Sequence, residues 1–197
     1  DHPDGRPESE IDPKHITELR LSNQLLDRMV ELAIAARSSP ARTTIIVENP
    51  ADRSPGASIA SSPEFADHGA LFRTKGFKRL IAEADLTCSA TFAYCRLGSP
   101  YQKYTTIYYT PEAAPALDFL NGPEYQCNHA KGEHAARVGG RGPDGAFRSG
   151  AAAAYPGGLN AVLARAFTLG RTGSADASEL QRAPLEPPPP PAAAPPP

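Results

Sequence analysis

The 197-residue chain has no tryptophan, a single methionine and three cysteines. No apolar run approaches the roughly 20 residues that a membrane-spanning helix needs, which excludes an integral helical membrane protein and leaves a soluble one as the expectation. An odd set of cysteines, Cys88, Cys95 and Cys127, excludes a secreted disulfide framework and points to a reducing compartment, cytosol or nucleus. No basic segment followed by an apolar stretch opens the sequence, so its start reads as a linker, not a targeting signal. Twenty Lys and Arg against 22 Asp and Glu give a net charge of −2. That balance excludes a global attraction to nucleic acid and leaves only local basic patches, such as Arg73, Lys75, Lys78 and Arg79.

What the chain has in quantity is proline, 22 residues, and glycine, 16. Both concentrate near the ends and in loops. Residues 1–18 read as a polar linker, 19–170 as the folded part, and 171–197 as a Pro/Ala-rich disordered tail that favours polyproline II. Within the folded part, Leu25, Leu26, Met29, Val30, Ala33 and Ile34 recur at helical spacing, which predicts an amphipathic helix over 22–37 capped by Ser22. A buried strand is predicted over 43–47, and a long loop over 50–68. Next come a helix over 71–84 broken at Gly76, a strand within 89–96 and a second strand over 105–110. A short helix over 112–120, a turn at Asn121-Gly122-Pro123 and a flexible glycine-rich stretch over 137–150 follow. The last predicted helix, from Tyr155 to Gly170, carries Leu159, Val162, Leu163, Ala166 and Phe167 on one face. Helix, turn and strand in that order are half of a parallel α/β repeat.

Three sets of residues carry potential chemistry. Glu48 and Asn49 follow the Ile45-Ile46-Val47 run, and in an open α/β sheet ligands collect beyond the strand ends. Tyr101, Lys103 and Thr105 alternate along an extended segment, so one face would offer a cation and two hydroxyls to a phosphate or a partner loop, although a β-edge with exposed tyrosines explains the segment too. Cys127, His129 and His134 lie within eight residues, and Cys95 is a possible fourth partner from the strand, which makes a zinc site conceivable. The spacing is not that of a standard finger, so a buried cysteine beside exposed histidines explains it too.

The order of helix, Glu48-Asn49-Pro50, Gly98-Ser99-Pro100-Tyr101-Gln102-Lys103-Tyr104-Thr105 and a late Tyr155-Pro156 helix resembles the carboxyl-terminal half of cytosine-5 DNA methyltransferase-like proteins of phages and mobile elements. Those proteins carry Glu-Asn-Val and Gly-x-Pro-Gln-x-Arg-x-Arg at these places. The resemblance implies an α/β fold with a partial Rossmann-like, mostly parallel sheet and flanking helices. It also implies DNA as partner, S-adenosylmethionine as methyl donor, and a catalytic role for Glu48 at the edge of a flipped cytosine. Two departures limit it. None of the three cysteines follows a proline, so the nucleophile is missing, and residues 1–42 hold one glycine, Gly5, so no glycine-rich donor turn is visible. The expectation is an incomplete or degenerate methyltransferase-like domain, inactive alone and in need of an amino-terminal half. The alternative is a non-catalytic nucleic-acid or protein binding module of a mobile element.

Overall fold

The computed structural model describes residues 8–66, 69–130, 132–134, 136, 138, 145, 150 and 153–172. The expected tail lies outside the described residues from 173 onward, as does most of the glycine-rich stretch 137–150. Helix and strand are mixed, as the α/β reading requires, and the described residues fall into two compact units. The first comprises the described residues up to Ser89 together with Thr106–Pro111, and the second Ala90–Thr105 together with those from Glu112 onward. No helix among the described residues is long and apolar enough to cross a membrane.

In the first unit the leading helix, α1, spans Pro13–Ser38. Its cap is Asp12, whose carboxylate accepts the Lys14 N–H at 3.1 Å, with Pro13 in the first turn, where a missing N–H costs nothing. The helix thus begins at Pro13, inside the expected linker 1–18 and ahead of the cap expected at Ser22; residues 1–7 lie outside the described residues. Half-buried Ile16 and Leu19 extend the apolar row toward the Asp-Pro start signal. Val30 is buried, with Leu26, Met29, Ala33 and Ile34 packed around it, whereas Leu25 faces solvent. Near the end of α1 the buried Arg37 guanidinium donates to Asp85 at 2.9 Å.

Helix α2 spans Lys75–Glu83, capped by the Thr74 hydroxyl, which accepts from Phe77 N–H at 3.2 Å. Gly76 sits in its first turn and does not break it. Phe77 and Leu80 of α2 join Val30, Ala84 and Leu86 in the core of this unit. Phe72, Phe77 and Tyr108 close it with ring centroids 4.8 to 5.3 Å apart.

Strand β1 is Ile46–Pro50, β2 is Cys88–Ala93 and β3 is Tyr104–Tyr109, in the order β1-β3-β2. Thr110 N–H bonds Ile45 C=O at 3.1 Å and Tyr94 N–H bonds Lys103 C=O at 2.9 Å. The end of each strand thus meets the start of its neighbour, and the sheet is antiparallel. The expected parallel, Rossmann-like sheet is corrected here. Residues 94–103 are too few for a parallel crossover, which takes a dozen or more, and they return the chain as a hairpin would. The register also moves β1 later than the predicted 43–47, so Glu48 and Asn49 lie inside the strand and not beyond its end.

In the second unit the 3-10 turn Tyr94–Leu97 follows β2, and the short helix α3, Ala114–Leu117, packs on the final helix α4, Gly157–Thr172. Leu159, Val162, Ala166 and Leu169 of α4 are buried with Phe92, Leu97, Leu117 and Leu120, while Phe167 is exposed, contrary to its predicted place on the apolar face. The helix runs past Gly170, its predicted end. Gly158 allows α4 to approach the turn, since a Cβ there would lie 2.9 Å from the Leu97 carbonyl oxygen.

The loop after β1 is organised by Asp52. Its carboxylate accepts from Ser54 N–H at 2.9 Å, from Ser54 Oγ at 2.6 Å and from Arg73 Nε at 2.6 Å, and its carbonyl accepts from the Ser58 hydroxyl. Burial alone would raise the Asp52 carboxyl, but the bonds from Ser54 and Arg73 together hold it below its ordinary 3.8. A carboxylate so lowered contributes stability above that value and loses it as pH falls through the lowered one. Asp52→Ala is expected to reduce the unfolding free energy by about 1–3 kcal/mol and to blunt the acid limb of the stability profile, read by denaturant melts across pH. Gly158→Ala is expected to cost about 1–3 kcal/mol by forcing α4 away from Leu97. A melt unchanged by that substitution would contradict the close approach.

Candidate metal centre

The second unit brings together the cysteine and histidine set. Its first ligand is placed by Tyr94, which is 1% exposed, lies near-parallel to Phe92 at 6.3 Å and meets Tyr155 edge-on at 6.5 Å. With Tyr94 fixed, the turn Tyr94–Leu97 holds Cys95 half-buried at a set position. Gly98, at φ 91°, ends the turn in the left-handed region that suits glycine.

The other three ligands ride on an arm that follows the 3-10 turn Pro123–Tyr125. Polar bonds hold this arm. Arg96 Nε donates to the Glu124 carbonyl at 2.7 Å and its Nη1 to Asn128 Oδ1 at 2.9 Å. Gln126 Nε2 donates to the Thr91 carbonyl at 2.9 Å, and Cys127 N–H to the Tyr104 hydroxyl at 3.2 Å. Past Cys127 the arm turns back, with Ala130 N–H on the Glu133 carboxylate at 2.6 Å. It is tied down again where Ala136 N–H bonds the Pro100 carbonyl at 3.2 Å and Tyr101 and Ala136 form a parallel bridge.

The ligand atoms of Cys95, Cys127, His129 and His134 consequently all lie within 4.8 Å of one another. Cys127 Sγ is 3.5 Å from His129 Nδ1 and 3.3 Å from His134 Nε2. A zinc ion bound tetrahedrally, with Zn–S near 2.3 Å and Zn–N near 2.0–2.1 Å, separates its sulfur and nitrogen ligands by about 3.6 Å. The two spacings lie within about 0.3 Å of that separation, and the 4.8 Å span of the whole set would contract somewhat to close on an ion. Two thiols and two imidazoles are also the donor set zinc prefers over calcium or magnesium, which take oxygen.

Burial, then the hydrogen bond and charge of Cys127, push the Cys95 thiol up to about 12. Burial, then the neighbouring His129, lower His134. Each is a preference for the neutral form, which a divalent cation would reverse for the thiols.

The other predicted residues are not gathered with this set. Glu48 and Asn49 sit half-buried in β1 of the first unit, where Asn49 Nδ2 donates to the Pro50 carbonyl at 3.4 Å. Tyr101 is committed to the bridge with Ala136, and the Lys103 ammonium lies over the Tyr94 ring at 4.5 Å. Thr105 is fully buried, so the expectation that it offers its hydroxyl to a phosphate is corrected: β3 is the central strand of the sheet. In the basic cluster, Arg73 pairs with Asp52 and Arg79 with Glu83. The supports of the metal set, Arg96, Tyr104, Gln126 and Glu133, carry no pattern of their own in the sequence.

No protein-family model, curated protein or solved structure matches this chain.

The Tyr104 hydroxyl receives the Cys127 amide, so Tyr104→Phe is expected to leave that N–H without its acceptor at a cost of about 1 kcal/mol. Hydrogen exchange at Cys127 checks this. An amide equally protected in the variant would show that the arm does not depend on that bond.

Proposed function

We propose that the chain is a non-catalytic binding module whose second unit is fastened by one structural zinc ion on Cys95, Cys127, His129 and His134. The observation that carries this reading is the convergence of four ligand atoms of the right chemistry within 4.8 Å. Four protein ligands fill a tetrahedral zinc and leave no position for water or substrate, whereas a catalytic zinc keeps one open. When bound, the metal supplies a cross-link and neutralises both thiolates.

The partner we favour is nucleic acid, held through its phosphates. Residues 127–150, which contain three of the ligands, carry Lys131, Arg137, Arg141 and Arg148 against only Glu133 and Asp144. Lys103 adds a further cation in the segment that the arm bridges. Binding of this kind is carried by counterion release and weakens steeply with salt. The cytosine-5 methyltransferase-like reading, with Glu48 and S-adenosylmethionine, gains no support from an antiparallel sheet, so it stands behind the module.

Metal analysis of the purified full chain tests the zinc. One equivalent is expected, and Cys127→Ser together with His134→Ala should abolish it and lower the melting temperature. Less than about a tenth of an equivalent after refolding with zinc would end the proposal, because such sites couple metal affinity to folding. Oligonucleotide binding that is absent, or indifferent to salt, would remove nucleic acid as the partner and leave the zinc reading intact.

A further inference from the structure

We infer that the same centre is a peroxide-responsive latch, in which oxidation of Cys95 and Cys127 to a disulfide expels the metal and frees the His129–His134 turn. The inference rests on the zinc reading and adds a regulation to it. Its basis is how the ligands are distributed. The two sulfurs come from places far apart in sequence, one in the turn after β2 and one on the arm, whereas both imidazoles lie on the arm beyond Cys127. A metal ion therefore holds two things at once: it ties the base of the arm to the turn, and it ties down the distal segment that reaches Ala136. A Cys95–Cys127 disulfide would keep the first tie and lose the second.

The chemistry needs only the two thiolates and a peroxide. One thiolate attacks a peroxide oxygen, the O–O bond breaks, and a sulfenic acid and hydroxide form. The second thiolate attacks the sulfenic sulfur, the S–S bond forms and a second hydroxide leaves. Two electrons pass from the pair of sulfurs to the peroxide, two protons from solvent convert both hydroxides to water, and zinc departs unchanged as Zn2+. Geometry favours the second step, because each sulfur is held within 4.8 Å of the other, against about 2.05 Å in a disulfide. Access favours the first, since both cysteines are only half-buried and His129 is exposed. Cys88, in β2 of the first unit, is outside the cluster and serves as an internal control.

The test treats the zinc-loaded full chain with hydrogen peroxide while a chromophoric chelator reports free zinc. The expected result is release of one zinc per chain together with a Cys95–Cys127 disulfide in the peptide mass map. Hydrogen exchange should rise at His129, His134 and Ala136 while Cys127 stays protected, and a thiol reductant with added zinc should restore the starting state. Cys88→Ser should behave as the unaltered chain does, which keeps the test independent of variants that fail to fold. Zinc retained under peroxide, zinc lost without that disulfide, or loss that depends on Cys88 would overturn the latch and leave the zinc reading standing. A preparation that takes up no zinc at all would overturn both.

Discussion

The second unit depends on four side chains meeting at one point. Among the described residues of its arm, from Gly122 to Ala136, there is a single 3-10 turn and no strand or longer helix, so backbone ladders do little to fix its path. Side-chain bonds from Arg96 and Gln126 to backbone carbonyls, and the Cys127 N–H on the Tyr104 hydroxyl, help to bring Cys127, His129 and His134 near Cys95. Closing loops of this length costs several kcal/mol of chain entropy, which grows slowly with length. Under the zinc proposal, a metal cross-link between residues 95 and 127 would offset that cost.

The first unit solves its problem by ordinary packing. Its long helix and α2 bury Val30, Phe77 and Leu80 between them, and aromatic edges from Phe72 and Tyr108 fill the remaining space. Polar bonds there trim the ends of elements, as Arg37 with Asp85 and Asp52 with Arg73 do. Among the described residues, the cysteine and histidine cluster lies in the second unit, on a turn and a loop. That is the usual division, in which rigid elements position a site and loops carry it.

Local periodicity made the helices and β3 readable, because apolar residues at helical spacing and a Thr-Thr-Ile-Tyr-Tyr run each bury one way only. Strand direction was not readable. The Ile46-Val47 run fits a parallel or an antiparallel neighbour equally well; the short return through residues 94–103 sets β2 against β3, and only the tertiary pairing sets β1. The cap at Asp12 was legible as an Asp-Pro start signal, yet the stronger apolar row drew the helix start to Ser22. At the metal set, Cys127, His129 and His134 were visible through proximity in sequence. That Cys95 joins them depends on how Tyr94 seats the turn, a tertiary fact that no spacing encodes. Thr105 shows the opposite error, since alternation placed it on a binding face that the central position of β3 buries.

X-ray absorption at the zinc edge addresses the central claim most directly, because it counts and identifies the atoms around the ion. The account expects two sulfurs near 2.3 Å and two nitrogens near 2.0–2.1 Å, with no water. A shell of oxygens and nitrogens without sulfur, or one sulfur with a bound water, would contradict it.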